Sequence, residues 1–293
     1  MAAAALIGCG DRAIPALRAF LLSGRPRGIY QPRQLAVETL GKLGAKQVLL
    51  EYLRNTVPVK DPVARMGEDA VLSTAARELG RWQTEDVFEC LSAIASQRIL
   101  PGIVETIGSF RRLETFPYLL RALGDGVCRS YAEDAIRKIG GDAKELLLDA
   151  ACAKSPSADQ ESGSSLQRRR WVVRILSDLQ LSERDWVRVR HLLEESDPDI
   201  VITTARIGLD MAPAPDKWRA VDRMIEMLPP AGWFLRSEAS AALAEHFDIT
   251  RGAIEDEVAR RSKVDRKRQC LDVVLRLLVN LRNQALQRSF AKS

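Results

Sequence analysis

A pair of short amphipathic helices, joined by a turn and closed by glycine, recurs along the sequence and constrains the fold more than any other feature. The pair is clearest between residues 113 and 152. Its first apolar stripe, at helical spacing, consists of Phe116, Leu119, Leu120 and Leu123. After a Gly-Asp-Gly turn, a second stripe at steps of four consists of Val127, Tyr131, Ala135 and Ile139. Gly140 and Gly141 end that helix, and Asp142 is predicted to cap the next one.

The same unit returns at intervals that are typical of stacked helical repeats. The closing glycines include Gly44, Gly80, Gly108 and Gly140, at steps of 36, 28 and 32 residues. The stretch from Asp197 repeats the Asp-Pro start and the apolar pattern of the stretch from Asp61. Self-similarity of this period predicts an all-α fold, an α-solenoid of roughly seven to eight stacked antiparallel helix pairs. We interpret residues 1–293 as a single array, with its clearest repeats over 30–212 and divergent repeats with a basic capping helix over 213–293.

Composition agrees with a helical chain and predicts its surroundings. Aromatic residues make up only 5% of the sequence, and no convincing strand pattern occurs. One low-complexity segment, residues 154–165, is predicted to be a flexible loop within a repeat. The five cysteines lie far apart, without a Cys-x-x-Cys pair, which favours a reducing compartment. No apolar run is long enough to span a membrane, so we expect a soluble, cytoplasmic protein.

The net charge of +5 belongs to the C-terminus. From Arg251 onward there are eleven basic and five acidic residues, a balance of +6, whereas the first 250 residues carry −1. The basic residues form two clusters that could contact a partner. The first consists of Arg168, Arg169, Arg170 and Arg174. The second consists of Arg260, Arg261, Lys263, Arg266, Lys267 and Arg268.

Each basic cluster has two interpretations. If the second helices of the pairs line a concave surface, the first cluster could extend a positive groove for phosphate or acidic peptide with Arg77, Arg111, Arg112, Arg137 and Lys138. The more ordinary interpretation is a solvated helix face beside a loop, with Trp171 in the core. The second cluster is either a nucleic-acid contact or the polar outer face of a capping repeat. The other tryptophans, such as Trp186 and Trp218, are also predicted to lie in the core.

Little in the sequence indicates catalysis. The two histidines, His191 and His246, have no partner at a metal-ligand or nucleophilic-triad spacing, and no Gly-rich phosphate loop precedes a helix. We therefore expect no catalytic residues, no metal and no cofactor, and we favour a binding protein over an enzyme without excluding the latter.

The recurring residues resemble those of the HEAT-repeat superfamily, especially the bacterial HEAT-like repeats of the phycobilisome-lyase type. Asp-Pro-x-Val or a relative opens the second helix at Asp61–Ala64, Asp125–Cys128 and Asp197–Ile200. An Arg follows (Arg65, Arg129), an Ala lies near mid-helix (Ala75, Ala135, Ala205), and Leu-Gly or Ile-Gly closes the unit at positions 79–80, 139–140 and 207–208. The resemblance implies an α-solenoid that binds other molecules. It also implies an Asp-Arg ladder between repeats, which Ile202 interrupts.

Two classes of function follow from this resemblance and the charge pattern. The first is a non-enzymatic scaffold or adaptor that binds a protein partner through its curved surface. The second is a nucleic-acid-binding protein, for which one candidate is a relative of the HEAT-like DNA-alkylation-repair glycosylases. Such an enzyme would need a carboxylate framed by aromatic rings. Asp185 beside Trp186, and Asp216 near Trp218, supply those residue types. A lyase-like action on a bilin-bearing protein follows from the subfamily's name alone.

Overall fold

The computed structural model describes residues 2–24, 26–153 and 161–260, together with isolated positions between 268 and 283. Every regular element in these residues is helical, and they contain no strand. The prediction of an all-α fold is therefore confirmed. Among the described helices, none combines the length and the apolar character that crossing a lipid bilayer requires. Contacts divide the chain into two compact units, one ending at Ala143 and one beginning at Lys144.

In the first unit, consecutive helix pairs stack on one another. Its helices are α1 (Ala2–Gly8), α2 (Ile14–Ser23), α3 (Gln31–Lys42), α4 (Lys46–Arg54), α5 (Pro62–Leu79), α6 (Glu85–Ala95), α7 (Pro101–Ser109), α8 (Phe116–Ala122) and α9 (Arg129–Ile139). Helices α3, α5, α7 and α9 form a series in which each packs against the next. Helices α2, α4, α6 and α8 pair with them in turn. This is the arrangement that the repeated apolar stripes predict for neighbouring pairs.

Small residues let the helices of this series approach closely. A Cβ at Gly102 on α7 would collide with the backbone of Ser73 on α5, and a Cβ at Gly108 would collide with Ala135 on α9. Because the side chains are minimal at these positions, the backbones come within contact of one another. The recurring mid-helix Ala and the closing Gly of the repeats therefore have a packing role in this unit.

The Asp-Pro signals begin helices in the way that the sequence predicts. The Asp61 carboxylate accepts a hydrogen bond of 2.7 Å from the Ala64 amide, and Pro62 occupies the first turn of α5. Asp197 does the same for the Ile200 amide at 3.2 Å. Such caps satisfy amides that have no intrahelical partner, and each typically contributes about 1 kcal/mol to stability.

The second unit is built around a buried tryptophan. Its helices are α10 (Lys144–Cys152), α11 (Gly163–Ser177), α12 (Glu183–Val189), α13 (Pro198–Met211), α14 (Ala214–Met227), α15 (Trp233–Glu245) and α16 (Phe247–Ala259). Helix α13 contacts α11, α12, α14 and α15, so it forms the centre of the unit. Trp186 on α12 is 1% exposed and lies close to Gly208 on α13.

Several local predictions need correction. Helix α11 begins at Gly163, so the last three residues of the predicted loop 154–165 are helical, and residues 154–160 lie outside the described part. Val127 precedes α9 and is 72% exposed, because the Asp125 carboxylate accepts from the amides of Val127 and Cys128 and holds them in a turn. Asp142 does not cap a helix but lies within a 3-10 helix, Gly140–Ala143.

Candidate interaction surface

Arg169, in the middle of the first basic cluster, is buried rather than solvated. It is 2% exposed and donates hydrogen bonds to Glu161 at 2.7 Å, to Glu195 at 2.9 Å and to the carbonyl oxygen of Ala151 at 3.2 Å. Burial alone would lower the pKa of Arg169, but the hydrogen bonds to the two glutamates outweigh this effect and raise the pKa above its usual value. The guanidinium therefore remains charged. All three directions of the guanidinium are therefore occupied inside the second unit, and a partner cannot reach it in this structure.

The burial of Arg169 follows from its position on α11. The buried residues of this helix are Ser165, Arg169, Val172, Val173, Ile175 and Leu176. Arg169 thus lies three and four positions before two buried valines, on the inward face of the helix. The helical register of the apolar residues could have revealed this from the sequence, whereas the run of three arginines suggested a solvated face.

The remaining residues of the first cluster are half-buried. Arg170 donates from Nε to Asp197 Oδ1 at 3.1 Å, which links α11 to the cap of α13. Arg174 forms an ion pair with Glu238 on α15. Arg168 is half-buried and makes no ion pair with the described residues. The Arg170–Asp197 pair is an Asp-Arg link between α11 and the cap of α13, although it differs from the ladder that the family resemblance implies.

The second basic cluster falls mostly outside the described residues. Arg260 is exposed at the end of α16, and Arg268 lies 3.8 Å from the carboxylate of Asp272. The other members, Arg261, Lys263, Arg266 and Lys267, are not among the described positions. Their role as partner contacts stays a prediction.

Three of the five residues proposed to extend a positive groove are neutralised within the first unit, whereas Arg111 and Lys138 are exposed and form no salt bridge with the described residues. Arg77 is paired with Glu105 at 2.7 Å, and its guanidinium lies 5.7 Å from the ring centre of Tyr131. Arg112 pairs with Glu85 at 2.6 Å and stacks 4.1 Å from the ring centre of Phe88. Arg137 pairs with Glu133. Such pairing reduces the positive field that a phosphate backbone would meet.

An exposed aromatic side chain, Phe234, lies next to Arg174 in the second unit. Trp233 and Phe234 open α15 and are 78% and 59% exposed. The Arg174 guanidinium lies 5.2 Å from the ring centre of Phe234 and 5.5 Å from that of Trp171. We call these four residues, with Glu238, the aromatic surface. The prediction that the tryptophans lie in the core is confirmed for Trp186 but wrong for two others, since Trp218 is 50% exposed.

The carboxylates considered for a glycosylase-like reaction are used in the structure of the second unit. Asp185 is 5% exposed and accepts from the Ser182 amide at 2.8 Å and from Lys144 at 3.0 Å. Although burial raises the pKa of Asp185, these donors lower it below its usual value, so the group stays ionised. Asp216 accepts from the Nε1 of Trp186 at 2.8 Å rather than approaching Trp218. The carboxylate and the aromatic ring therefore meet inside helix packing, not in an open groove.

The histidines also have local partners. His191 Nδ1 lies 2.9 Å from the Arg188 carbonyl oxygen, and His246 Nε2 lies 3.1 Å from Asp210. Among the described residues, no group of His, Cys, Asp and Glu side chains has the arrangement of a metal site.

Comparison with known proteins assigns no family to this chain. No family model matches the sequence. No curated protein matches it at a significant level either. The class that the described residues define is therefore that of an all-α protein.

Proposed function

We propose that the protein is a non-enzymatic scaffold or adaptor of the HEAT-like kind, whose helix pairs continue into an α-solenoid and which binds a protein partner through the aromatic surface. The series of packed pairs in the first unit supports the repeat interpretation. Four cysteines of the described part, Cys9, Cys90, Cys128 and Cys152, are free thiols, in keeping with a reducing, cytoplasmic setting.

The exposure of Trp233 and Phe234 is the observation that carries the proposal. Large aromatic side chains that remain in water lose the favourable free energy of burial, and burying one contributes roughly 1.5–3 kcal/mol. Trp and Arg are enriched among the residues that dominate the energy of protein interfaces. The aromatic surface places the exposed ring of Phe234 beside the Arg174 guanidinium, which also contacts Glu238 and Trp171, and the exposed Trp233 directly precedes Phe234 on α15. It therefore offers preorganised contacts to a protein rather than free positive charge.

The nucleic-acid alternative has less support. In the described residues Arg77, Arg112, Arg169 and Arg170 are engaged by carboxylates. Basic side chains that neutralise phosphates release the counterions condensed on the nucleic acid, and an arginine already paired with a carboxylate contributes less to this effect. The basic tail from Arg251 onward, with its balance of +6, is the feature that still supports this alternative.

The experiment is a pull-down from the native cell extract with the full chain, with and without nuclease. We expect proteins retained by the wild type to remain after nuclease treatment and to fall by about tenfold or more with Trp233→Glu/Phe234→Glu, as for the loss of interface hot spots. Val187→Glu is the matched control, because Val187 is an exposed apolar residue on α12 of the same unit, 57% exposed.

Two outcomes would contradict the proposal. One is a loss of all retained proteins when nucleic acid is digested, which would favour the nucleic-acid alternative. The other is equal retention by the wild type and by the Trp233/Phe234 variant. Circular dichroism of each variant checks that the helices are intact, which is expected because the substituted side chains are exposed.

A further inference from the structure

A second exposed apolar patch lies on the first unit, at the start of α5. Ile29, Val63 and Met66 are 78%, 58% and 67% exposed. Residues 27–30 lie against the first two turns of α5: a Cβ at Gly28 would be 2.8 Å from Val63 Cγ1, and a Cβ at Gly67 would collide with the carbonyl oxygen of Arg27. Because this segment is packed on the helix, the backbone of Ile29 lies at the part of α5 that carries Val63 and Met66. We call the three apolar residues, with the cations described next, the loop–helix surface.

Three basic residues that have no carboxylate partner among the described residues lie close to this patch along the chain. Arg27, Lys60 and Arg65 are exposed, and none of them forms a salt bridge with the described residues. Two acidic residues near these cations in the chain have other partners. Asp61 caps α5, and Asp69 is paired with Arg98 at 2.9 Å. Arg65 acts on Asp69 only through its charge, without a hydrogen bond between them. This pattern differs from the rest of the described residues, where most arginines have a carboxylate partner.

We propose that the loop–helix surface binds an acidic, amphipathic segment of a partner protein. Apolar side chains on one face of that segment would cover Ile29, Val63 and Met66, and its Asp or Glu residues would pair with Arg27, Lys60 and Arg65. Adjacent exposed apolar residues of this size are typical of interaction sites, and complementary charge fixes the register of the partner. The inference adds a second surface to the proposed function and depends on different residues.

Charge complementarity decides the occupant. The tail of this chain from Arg251 carries +6, so neither it nor the tail of a second copy complements a positive rim. A nucleic acid would satisfy the cations but would leave three aliphatic side chains in contact with phosphate and sugar. A segment that carries carboxylates beside apolar residues satisfies both features at once.

The test uses methyl NMR of the full chain, titrated with a synthetic helical peptide of Glu, Leu and Ala that has its Leu residues on one face. We expect saturable shifts of the Ile29, Val63 and Met66 methyl signals, larger than those of Val187. Added salt should weaken the binding, because exposed charges are screened at high ionic strength. The same peptide with Lys in place of Glu should bind at least about tenfold more weakly.

Two variants and one control locate the binding. Lys60→Glu/Arg65→Glu and Met66→Glu should each weaken peptide binding by about tenfold or more, whereas Val187→Glu should leave it unchanged. Equal binding of the Lys peptide, or undiminished binding by the charge-reversed variant, would overturn the proposal. Shifts produced by phosphatidylcholine–phosphatidylserine vesicles but not by the peptide would also overturn it, in favour of a lipid surface. Loss of the aromatic surface leaves this result untouched, so the two proposals can fail separately.

Discussion

Among the residues that the structure describes, each unit buries one arginine, and the two arginines differ in how many of their hydrogen-bond donors have partners. Arg169 of the second unit uses Nε, Nη1 and Nη2 in hydrogen bonds with Ala151, Glu161 and Glu195. Arg33 of the first unit forms an ion pair with Glu68 and a hydrogen bond of 3.3 Å to the carbonyl oxygen of Leu21, while its Nε has no partner among the described residues. Glu68 also accepts from the Tyr52 hydroxyl at 2.6 Å.

The difference indicates two ways of stabilising helical pairs. In the second unit, the arginine links α10, α11 and the segment before α13, so a polar network takes the place of part of the apolar core. In the first unit, the arginine neutralises one buried carboxylate, and close contacts between small residues hold the helices together. Burial and the neighbouring Glu68 raise the pKa of Tyr52, which keeps its hydroxyl protonated and able to donate to that carboxylate.

Arg169→Met should have the largest effect on stability. It leaves Glu161 and Glu195 without their common cation in a mostly buried site, and breaking a buried ion pair from one side costs about 3–5 kcal/mol. Urea denaturation followed by circular dichroism measures the loss, and hydrogen exchange of peptides from each unit should place the faster exchange in the second unit. Arg168→Met is the matched control one residue away, and it should change stability by less than about 1 kcal/mol. Equal losses for the two variants would contradict a structural role for Arg169.

Arg33→Met should have a smaller effect, about 2–4 kcal/mol, because Glu68 keeps its hydrogen bond from Tyr52. The double variant Arg33→Met/Glu68→Met should be more stable than Arg33→Met alone, since it leaves no uncompensated buried charge. Hydrogen exchange should place both changes in the first unit. If the effects of the two substitutions simply add, the pair is not coupled and the contrast with Arg169 disappears.

The sequence predicts the helices of both units better than it predicts the side-chain contacts that join one helix to another. Asp61 and Asp197 identify helix starts because a cap is a local interaction, complete within four residues. The partners of Arg169 are eight and 26 positions away, so no local pattern points to them, although the helical register places Arg169 on the buried face. The sequence also failed to predict that Trp233 and Val127 are exposed. A single apolar residue at the end of a helix gives the same sequence pattern whether other residues pack over it or it faces solvent.

The contrast between the units also depends on the close helix contacts of the first one, and Gly102→Ala tests them. The added Cβ would collide with the backbone of Ser73, which cannot move aside as the end of a flexible side chain can. Overpacking of this kind costs about 1–3 kcal/mol, and the change should appear in hydrogen exchange of α5 and α7. Gly126→Ala is the control, because that glycine is exposed and nothing lies within 4 Å of the added Cβ. If Gly102→Ala is as stable as Gly126→Ala, then α5 and α7 have room to separate, and the buried ion pair rather than close packing would be the main stabilising feature of the first unit as well.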